Sequence, residues 1–560
     1  MYLKMLVEIP DAKGKIVLQK KGKTTYVYYE TDRTYDPEVQ YTTVRRVTIG
    51  KLSKDDERKM QPNENFLKYF PDAELPEEDE RAERSSCMRI GTYVVVSQML
   101  REMKIREMLE YYMTPKDAGL LLDLAQYSIV EENNAAQHYP DYAYSHPLFT
   151  EGMRIYSDSK ISDFLKNLTE EQSAEFLNEW NSDRNYRERI YISYDSTNKN
   201  CQAGDIEMAE FGNAKDDPDL PIFNYAVAYD TYNREPLFYE KYPGSINDVS
   251  QLQYAIDKAK SYGYKKIGFI LDRGYFSKGN IEYMDSCGYS FVMMVKGMAS
   301  FINPLIDEIS GSFERQRKNY IGEYDVYGTT VKRKLYETDD KLRYFHFYYN
   351  SIRAGSEEKE INQNLESMKN LMTGRMNKEE EFGPMYDKYF KLHYSGQTFT
   401  GYEEKVHVAE SEIKHCGYFV IITSDKMTAR EAIDLYKSRD ASEKLFIADK
   451  TFLGDSCLRV HSEESAASKI FIAFIALIIR CRMYTCIKDA VKYMDNKPNY
   501  MNVVSAIKEL EKIEMVRQLD GIYRLDHAVT SKQKTILKAF GMDPGHIRYK
   551  AEYISEKLRK

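Results

Sequence analysis

The sequence predicts a mixed α/β fold, a sheet with helices packed on its faces and an insertion breaking it in two. Three observations carry this. First, RIYISYD (189–195), IFNYAVAYD (222–230) and PLFYEKYPG (236–244) are consecutive runs of strand length separated by turn signals. Second, helical and strand-like segments then alternate: a helix from about Asp248 to Tyr262, the run IGFILD (267–272), a short helix near Lys278 to Cys287, and YSFVMMVK (289–296). Such alternation builds a mixed sheet with helical crossovers. Third, the regularity is lost from about 298 to 416 and returns with GYFVIITS (417–424), followed by a helix over 427–450. The intervening stretch mixes EYDVYGTTVKRKLYE, RYFHFYYN and the charged GSEEKEINQNLESMKNLM, and reads as an insertion.

The flanks differ from this core. Residues 1–70 look like a small β-rich domain, with KIVLQ and TTYVYYE separated by KKGK. The acidic stretch PDAELPEEDERAER places a linker at 71–87. Residues 88–187 are helical by periodicity, as in IGTYVVVSQMLREMKIREMLEYYM, and 486–560 form a second helical region. The core itself then occupies 188–297 and 417–485, around the insertion at 298–416.

Composition excludes several classes. The chain of 560 residues has 88 acidic and 80 basic side chains, a net charge of −8, which argues against a non-specific nucleic-acid coat. The seven cysteines are scattered and form no CxxC pair, so neither a disulfide framework nor a zinc knuckle is expected. That usage suits a reducing cytoplasm. The N-terminus has no apolar h-region, so no secretory signal is expected. The longest apolar run, Ile470 to Ile479, is shorter than the ~20 residues of a membrane span and reads as a buried helix. There is no Walker A sequence, no HExxH and no GxGxxG after a strand, so no nucleotide cofactor is expected. His146, His407 and His415 show no ligand spacing and are assigned no role.

Candidate chemistry begins with Asp195 in ISYDSTN and Asp272 in FILDRGYFS, two aspartates that end apolar runs. Side chains at the carboxyl ends of strands line the functional crevice of an open α/β sheet. Aspartate is also common there simply because it stabilises turns. In the helix over 427–450, Tyr436, Arg439, Glu443 and Lys450 fall within an arc of roughly 60° on one face. Such a stripe offers one acid to a metal and two cations to a phosphate backbone, or is an ordinary solvated face. Five lysines lie between Lys13 and Lys23, among them Lys20, Lys21 and Lys23. They fit a solvated hairpin edge or a phosphate-contacting ribbon.

Asp195, Asp272 and Glu443, the last inside Y-x2-R-x3-E-x6-K, resemble the triad and signature of bacterial DDE-type insertion-sequence transposases of the insertion sequence four superfamily. KGKTTYVYYE with RRVTIGKLS, PDLPIFNYAVAYDTYNREPLFYEKYPGSINDVSQL, LDRGYFSKGNIEYM and IFIAFIALIIRCRMY extend the resemblance over most of the chain. The first acid stands in DSTN, where many relatives carry a DGT-like or DAT-like turn.

The resemblance implies an RNase H-like core interrupted by a β-rich insertion. The spacing from Asp272 to Glu443, more than twice that from Asp195 to Asp272, agrees. It implies that Asp195, Asp272 and Glu443 are catalytic and hold two Mg2+ ions, with Mn2+ tolerated, as oxygen-only ligands favour. Tyr436, Arg439 and Lys450 would then contact DNA. The expected activity is cut-and-paste transposition, with water nicking the strand and a 3′-OH joining it to target DNA. The expected partners are double-stranded DNA, both the terminal inverted repeats and the target, and a second copy in an active dimer, in the bacterial cytoplasm. A catalytically silent DNA-binding descendant and a metal-dependent nuclease of the same fold are the alternatives.

Overall fold

The computed structural model describes residues 2–559 apart from 4, 39, 55, 74, 76–83, 185–189, 202–205, 213, 215–218, 442–452 and 454–457. The chain divides into two compact units, Met1–Phe176 with Asp449–Lys560, and Leu177–Ala448.

The first unit opens with a five-stranded antiparallel sheet: β1 (Val7–Glu8), β2 (Ile16–Lys21), β3 (Thr24–Asp36), β4 (Tyr41–Leu52) and β5 (Lys59–Pro62), in the order β1-β5-β4-β3-β2. Lys21 pairs with Thr24, so Gly22 and Lys23 form a two-residue hairpin, with Gly22 at φ +62°. Glycine at the first position supplies the positive φ such turns need. One sheet face buries Val27, Ile49 and Met60 against Phe66 of the helix Glu64–Tyr69. The helical regions before and after the core join in this same unit. Strand β6 (Cys87–Arg89) pairs antiparallel with Glu514–Arg517. The helix Glu463–Val491 packs against Pro115–Glu131 and Asp158–Asn167. It is long and apolar enough to cross a membrane, but 78% of its most apolar window is buried inside the protein, including all of Ile470 to Ile479.

The second unit is built on β7 (Ile190–Asn200), β8 (Ile222–Asp230), β9 (Glu235–Pro243), β10 (Ile267–Leu271) and β11 (Ser290–Met294). β7, β8 and β9 form an antiparallel meander. The helix Asp248–Ser261 then carries the chain to β10, parallel to β7, and Lys278–Ser286 carries it to β11, parallel to β10. The resulting order β9-β8-β7-β10-β11 is that of an RNase H-like core. β8 and β10 are buried at every position, as central strands covered on both faces must be, which is why they read as continuous apolar runs.

Two features depart from the sequence reading. The segment 298–416 is not all insertion. Its strands β12 (Tyr320–Ile321), β13 (Val326–Arg333) and β14 (Arg343–Tyr349) extend the main sheet to nine strands through β17 (Tyr418–Thr423), which pairs antiparallel with β11. What projects from the sheet is helix Ser351–Gly374, hairpin β15 (Phe390–Ser395) and β16 (Thr398–Glu404), and helix Val406–Lys414. Leu365, Met372, Phe382, Phe390 and Phe399 give this part its own core.

The second departure is in the helix expected over 427–450, which is not continuous. Its first part runs Ala429–Lys437 from a Thr428–Glu431 capping box and is capped at Ser438; a turn at Ser438 and Arg439 separates it from helix at 440–441, and 442–450 lie outside the described residues. The Ser438 hydroxyl donates to the Leu435 carbonyl at 2.6 Å, a local bond that competes with the helical ladder. Arg439 N–H then donates to the Tyr436 carbonyl, tightening the turn.

Candidate active site

Parallel register brings the two aspartates together. Leu271 on β10 pairs with Tyr194 on β7, so the next residues, Asp272 and Asp195, stand side by side on adjacent strands. Strands in a sheet are about 4.8 Å apart, and residues in parallel register point to the same face. Asp195 is not at the end of its own strand. β7 runs on to Asn200 against β8, and Asp195 marks the point where its parallel neighbour stops. Its Oδ1 accepts from the Ser196 N–H at 2.9 Å.

The helix Ala429–Lys437 covers this face. Ile433 and Tyr436 pack with Ile270, Val292, Tyr348 and Ile421. Tyr436 is only 5% exposed, and its hydroxyl donates to Asp272 Oδ1 at 3.4 Å. The turn at Ser438 swings Arg439 inward. Its guanidinium lies 3.8 Å from Asp195 Oδ2 and 3.8 Å from Asp272 Oδ1, with the side chain 13% exposed. Tyr436 and Arg439, expected to contact DNA, thus meet here over the two aspartates. Both point at the carboxylates. Glu443 and Lys450 lie outside the described residues.

Behind the sheet, a polar layer fixes the strand carrying Asp195. Asp248, the first residue of its helix, accepts from the Ser196 hydroxyl and the Tyr242 hydroxyl, each at 2.6 Å. Tyr194 donates to Glu240 at 2.8 Å, and burial together with Glu240 drives its phenol far above the usual range. Asn280, 2% exposed, donates to the carbonyls of Val249 (2.9 Å) and Tyr275 (3.0 Å). It thereby ties the turn after Asp272 to the helix that carries Asp248. The sequence reading singled out none of Ser196, Tyr242, Asp248 or Asn280. The only signals were the predicted start of a helix at Asp248 and the position of Asn280 in LDRGYFSKGNIEYM. An open polar cleft of about 320 Å³ borders β7 beyond Asp195, lined by Ser196, Asn198, Asn224, Asn247 and Asp248 among others.

Two carboxylates held side by side around a guanidinium form a cation-binding, oxygen-only donor set, which fits a hard divalent ion. Among the described residues no group of three or more acidic, histidine or cysteine side chains is placed to hold one. Elsewhere, Lys20 and Lys21 lie exposed on β2 and Lys23 in the hairpin turn. Among the histidines given no role, His146 is buried and bonded to Glu511 at 2.8 Å, and His415 lies 3.2 Å from Asp307.

Residues 204–479 match the family described as transposase DDE domain. The match takes in Asp272 and Arg439 and begins nine residues after Asp195. Just under half of the chain, residues 204–479, is therefore similar to a transposase DDE domain. Among solved structures, it is similar to the piggyBac transposase synaptic complex with hairpin DNA, at 9% identity and TM-score 0.30, over 84% of this chain and 75% of that one. It is also similar to the Mos1 mariner paired end complex with Mn, at 11% identity and TM-score 0.13, over 30% of this chain and 56% of that one. TM-scores this low carry no weight for fold or function. No curated protein sequence matches.

Proposed function

We propose that this chain is a cut-and-paste transposase of the insertion sequence four superfamily, which nicks the ends of its element and joins them to target DNA. The observation that carries the reading is the placing of Asp195 and Asp272, in register on one face of adjacent parallel strands, around the Arg439 guanidinium.

Asp195 and Asp272, with Glu443 as the third acid, would hold divalent cations, Mg2+ by preference and Mn2+ as a substitute, two per site. Such ions supply Lewis acidity at phosphorus and make deprotonation of the attacking hydroxyl easier. The protein's own contribution is positioning. The β7–β10 pairing fixes the carboxylates, the Ser196–Asp248 and Asn280 bonds hold the backbone on either side of them, and Tyr436 orients Asp272. Arg439 balances the carboxylate charge without metal. With DNA bound, Arg439, Tyr436 and Lys450 would turn to the backbone near the scissile phosphate, and Lys20, Lys21 and Lys23 would meet it farther along. Nicking takes water as nucleophile and joining takes the freed 3′-OH. Pairing of two ends requires a dimer in the active complex.

The test is purified protein with Mg2+, labelled element ends and a target plasmid. Nicked ends with joined products support the reading. Nicks without joining make the protein a nuclease, and end binding without cleavage makes it a silent DNA-binding protein. Asp195→Asn, Asp272→Asn and Glu443→Gln should each abolish cleavage. Full activity in any of them removes that residue from the triad.

A further inference from the structure

The N-terminal sheet has two faces of different chemistry. One packs on the helix Glu64–Tyr69. The other carries a cross-strand arrangement of tyrosines and lysines. Tyr26 pairs directly with Lys51 on β4 and Gln19 on β2, and Tyr28 with Thr48 and Val17. The Lys51 ammonium sits 4.1 Å from the Tyr2 ring centroid and 5.9 Å from that of Tyr26, with the two rings 6.1 Å apart. The Lys21 ammonium lies 5.5 Å from the Tyr28 ring, and hydrogen bonds from Lys21 and Thr48 draw the Tyr28 phenol below its usual range. Glu30, on the strand beyond Tyr28, is bound by Arg33 at 2.7 Å and Arg46 at 2.8 Å, which cancels its charge.

Alternation along β2 separates the lysines that look alike in sequence. Lys21 shares its face with Gln19 and the tyrosines, while Lys20 projects to the other side. Lys51, thirty residues after Lys21 in the sequence, joins it only through folding, by pairing with Tyr26. The three tyrosine rings are half-buried with ammonium groups against them, so they are poorly placed to stack on bases. What they present is phenolic O–H and ammonium N–H groups, donors suited to an array of phosphate oxygens.

We propose that this face, made by Lys21, Lys51, Tyr2, Tyr26 and Tyr28, docks the phosphate backbone of duplex DNA without reading its sequence. Naming DNA as the polyanion rests on the proposed function; the donor array rests on the geometry alone. Backbone contacts fix register and orientation and leave specificity to other parts of the chain.

The experiment is fluorescence anisotropy of the full chain on two labelled duplexes, one of arbitrary sequence and one carrying the terminal repeat, from ~50 to ~200 mM NaCl. Each phosphate contact contributes about 0.9 to the slope of log K against log salt, so K21A/K51A should lower that slope by about 1.8 on both duplexes. K21R/K51R should keep the wild-type slope. K497A/K508A, an equal change of charge on the C-terminal helical region, should leave it unchanged. Y26F/Y28F keeps the rings and removes two hydroxyls, and should weaken binding roughly tenfold on both duplexes. An unchanged slope in K21A/K51A, or a loss confined to the terminal-repeat duplex, overturns the proposal. The slope decides this question whether or not the wild-type protein cuts DNA, so a failure of the transposase reading would be seen separately in the cleavage assay.

Discussion

Replacing Arg439 by alanine tests whether its guanidinium holds the place of a cation. The group lies 3.8 Å from an oxygen of each aspartate. At an effective dielectric of 20, each contact has a gross attraction of about 4 kcal/mol. Desolvation of the arginine, 13% exposed, offsets part of this, and solvent at Asp272, 38% exposed, screens more. Its loss also leaves two carboxylates on strands about 5 Å apart, repelling by about 3 kcal/mol at the same dielectric. A net loss of about 2 kcal/mol is the expected outcome in EDTA at neutral pH. The assay is built in, because the only tryptophan, Trp180, is buried in the same unit and donates to the Pro236 carbonyl. Tryptophan emission during thermal unfolding should show a midpoint lower by about 4 °C. Saturating Mg2+ should then restore more stability to R439A than it adds to the wild type, by ~2 kcal/mol near a hundredfold excess over Kd. If R439A is as stable as the wild type in EDTA, or if Mg2+ raises both equally, the guanidinium does not stand in for a metal ion.

Three further outcomes follow from particular contacts. His346 is fully buried between Thr330 (2.9 Å) and Thr423 (3.0 Å), and burial lowers its pKa to about 4. The unfolded chain therefore binds this proton first, so stability is full above about pH 6.5 and falls by ~3 kcal/mol as pH drops to about 4. Urea titrations at several pH values should show that loss, and His346→Gln should remove it. Asn280→Ala strands the Val249 and Tyr275 carbonyls and should cost ~1–3 kcal/mol in urea unfolding, with cleavage lowered through the shifted Asp272 turn. In the other unit, a Cβ at Gly91 would lie 2.1 Å from the Leu510 carbonyl oxygen. Gly91→Ala should accordingly lower thermal stability by several kcal/mol, whereas Ala at the open Gly279 should not.

The core was legible where strands are apolar on both faces. IFNYAVAYD coincides with β8 at both ends, and IGFILD with β10 to within one residue, because full burial leaves an unbroken apolar run. The far half of β7 was hidden for the opposite reason. Ser196, Thr197, Asn198 and Lys199 are polar yet buried, held as strand by pairing with β8 and not by any pattern of their own. Strands β13 and β14 read correctly as β-like, but sequence order does not disclose spatial neighbours, and so they were assigned to the insertion. The aspartates were found by position. Their partnership with Arg439 depends on the turn at Ser438, which helix arithmetic over 427–450 passes straight through.

The part projecting from the sheet has a topological consequence. Tyr349 ends β14 and Tyr418 begins β17; the two are partners in one antiparallel ladder, with rings 5.0 Å apart. Everything from 350 to 417 is therefore the loop of a single β-hairpin, entering and leaving through adjacent residues and folding around its own core. Because closure entropy grows only with the logarithm of loop length, that loop can be shortened, lengthened or exchanged at little cost to the ladder beneath. The hairpin base is a socket, and the piece plugged into it can diversify while the aspartates stay where they are.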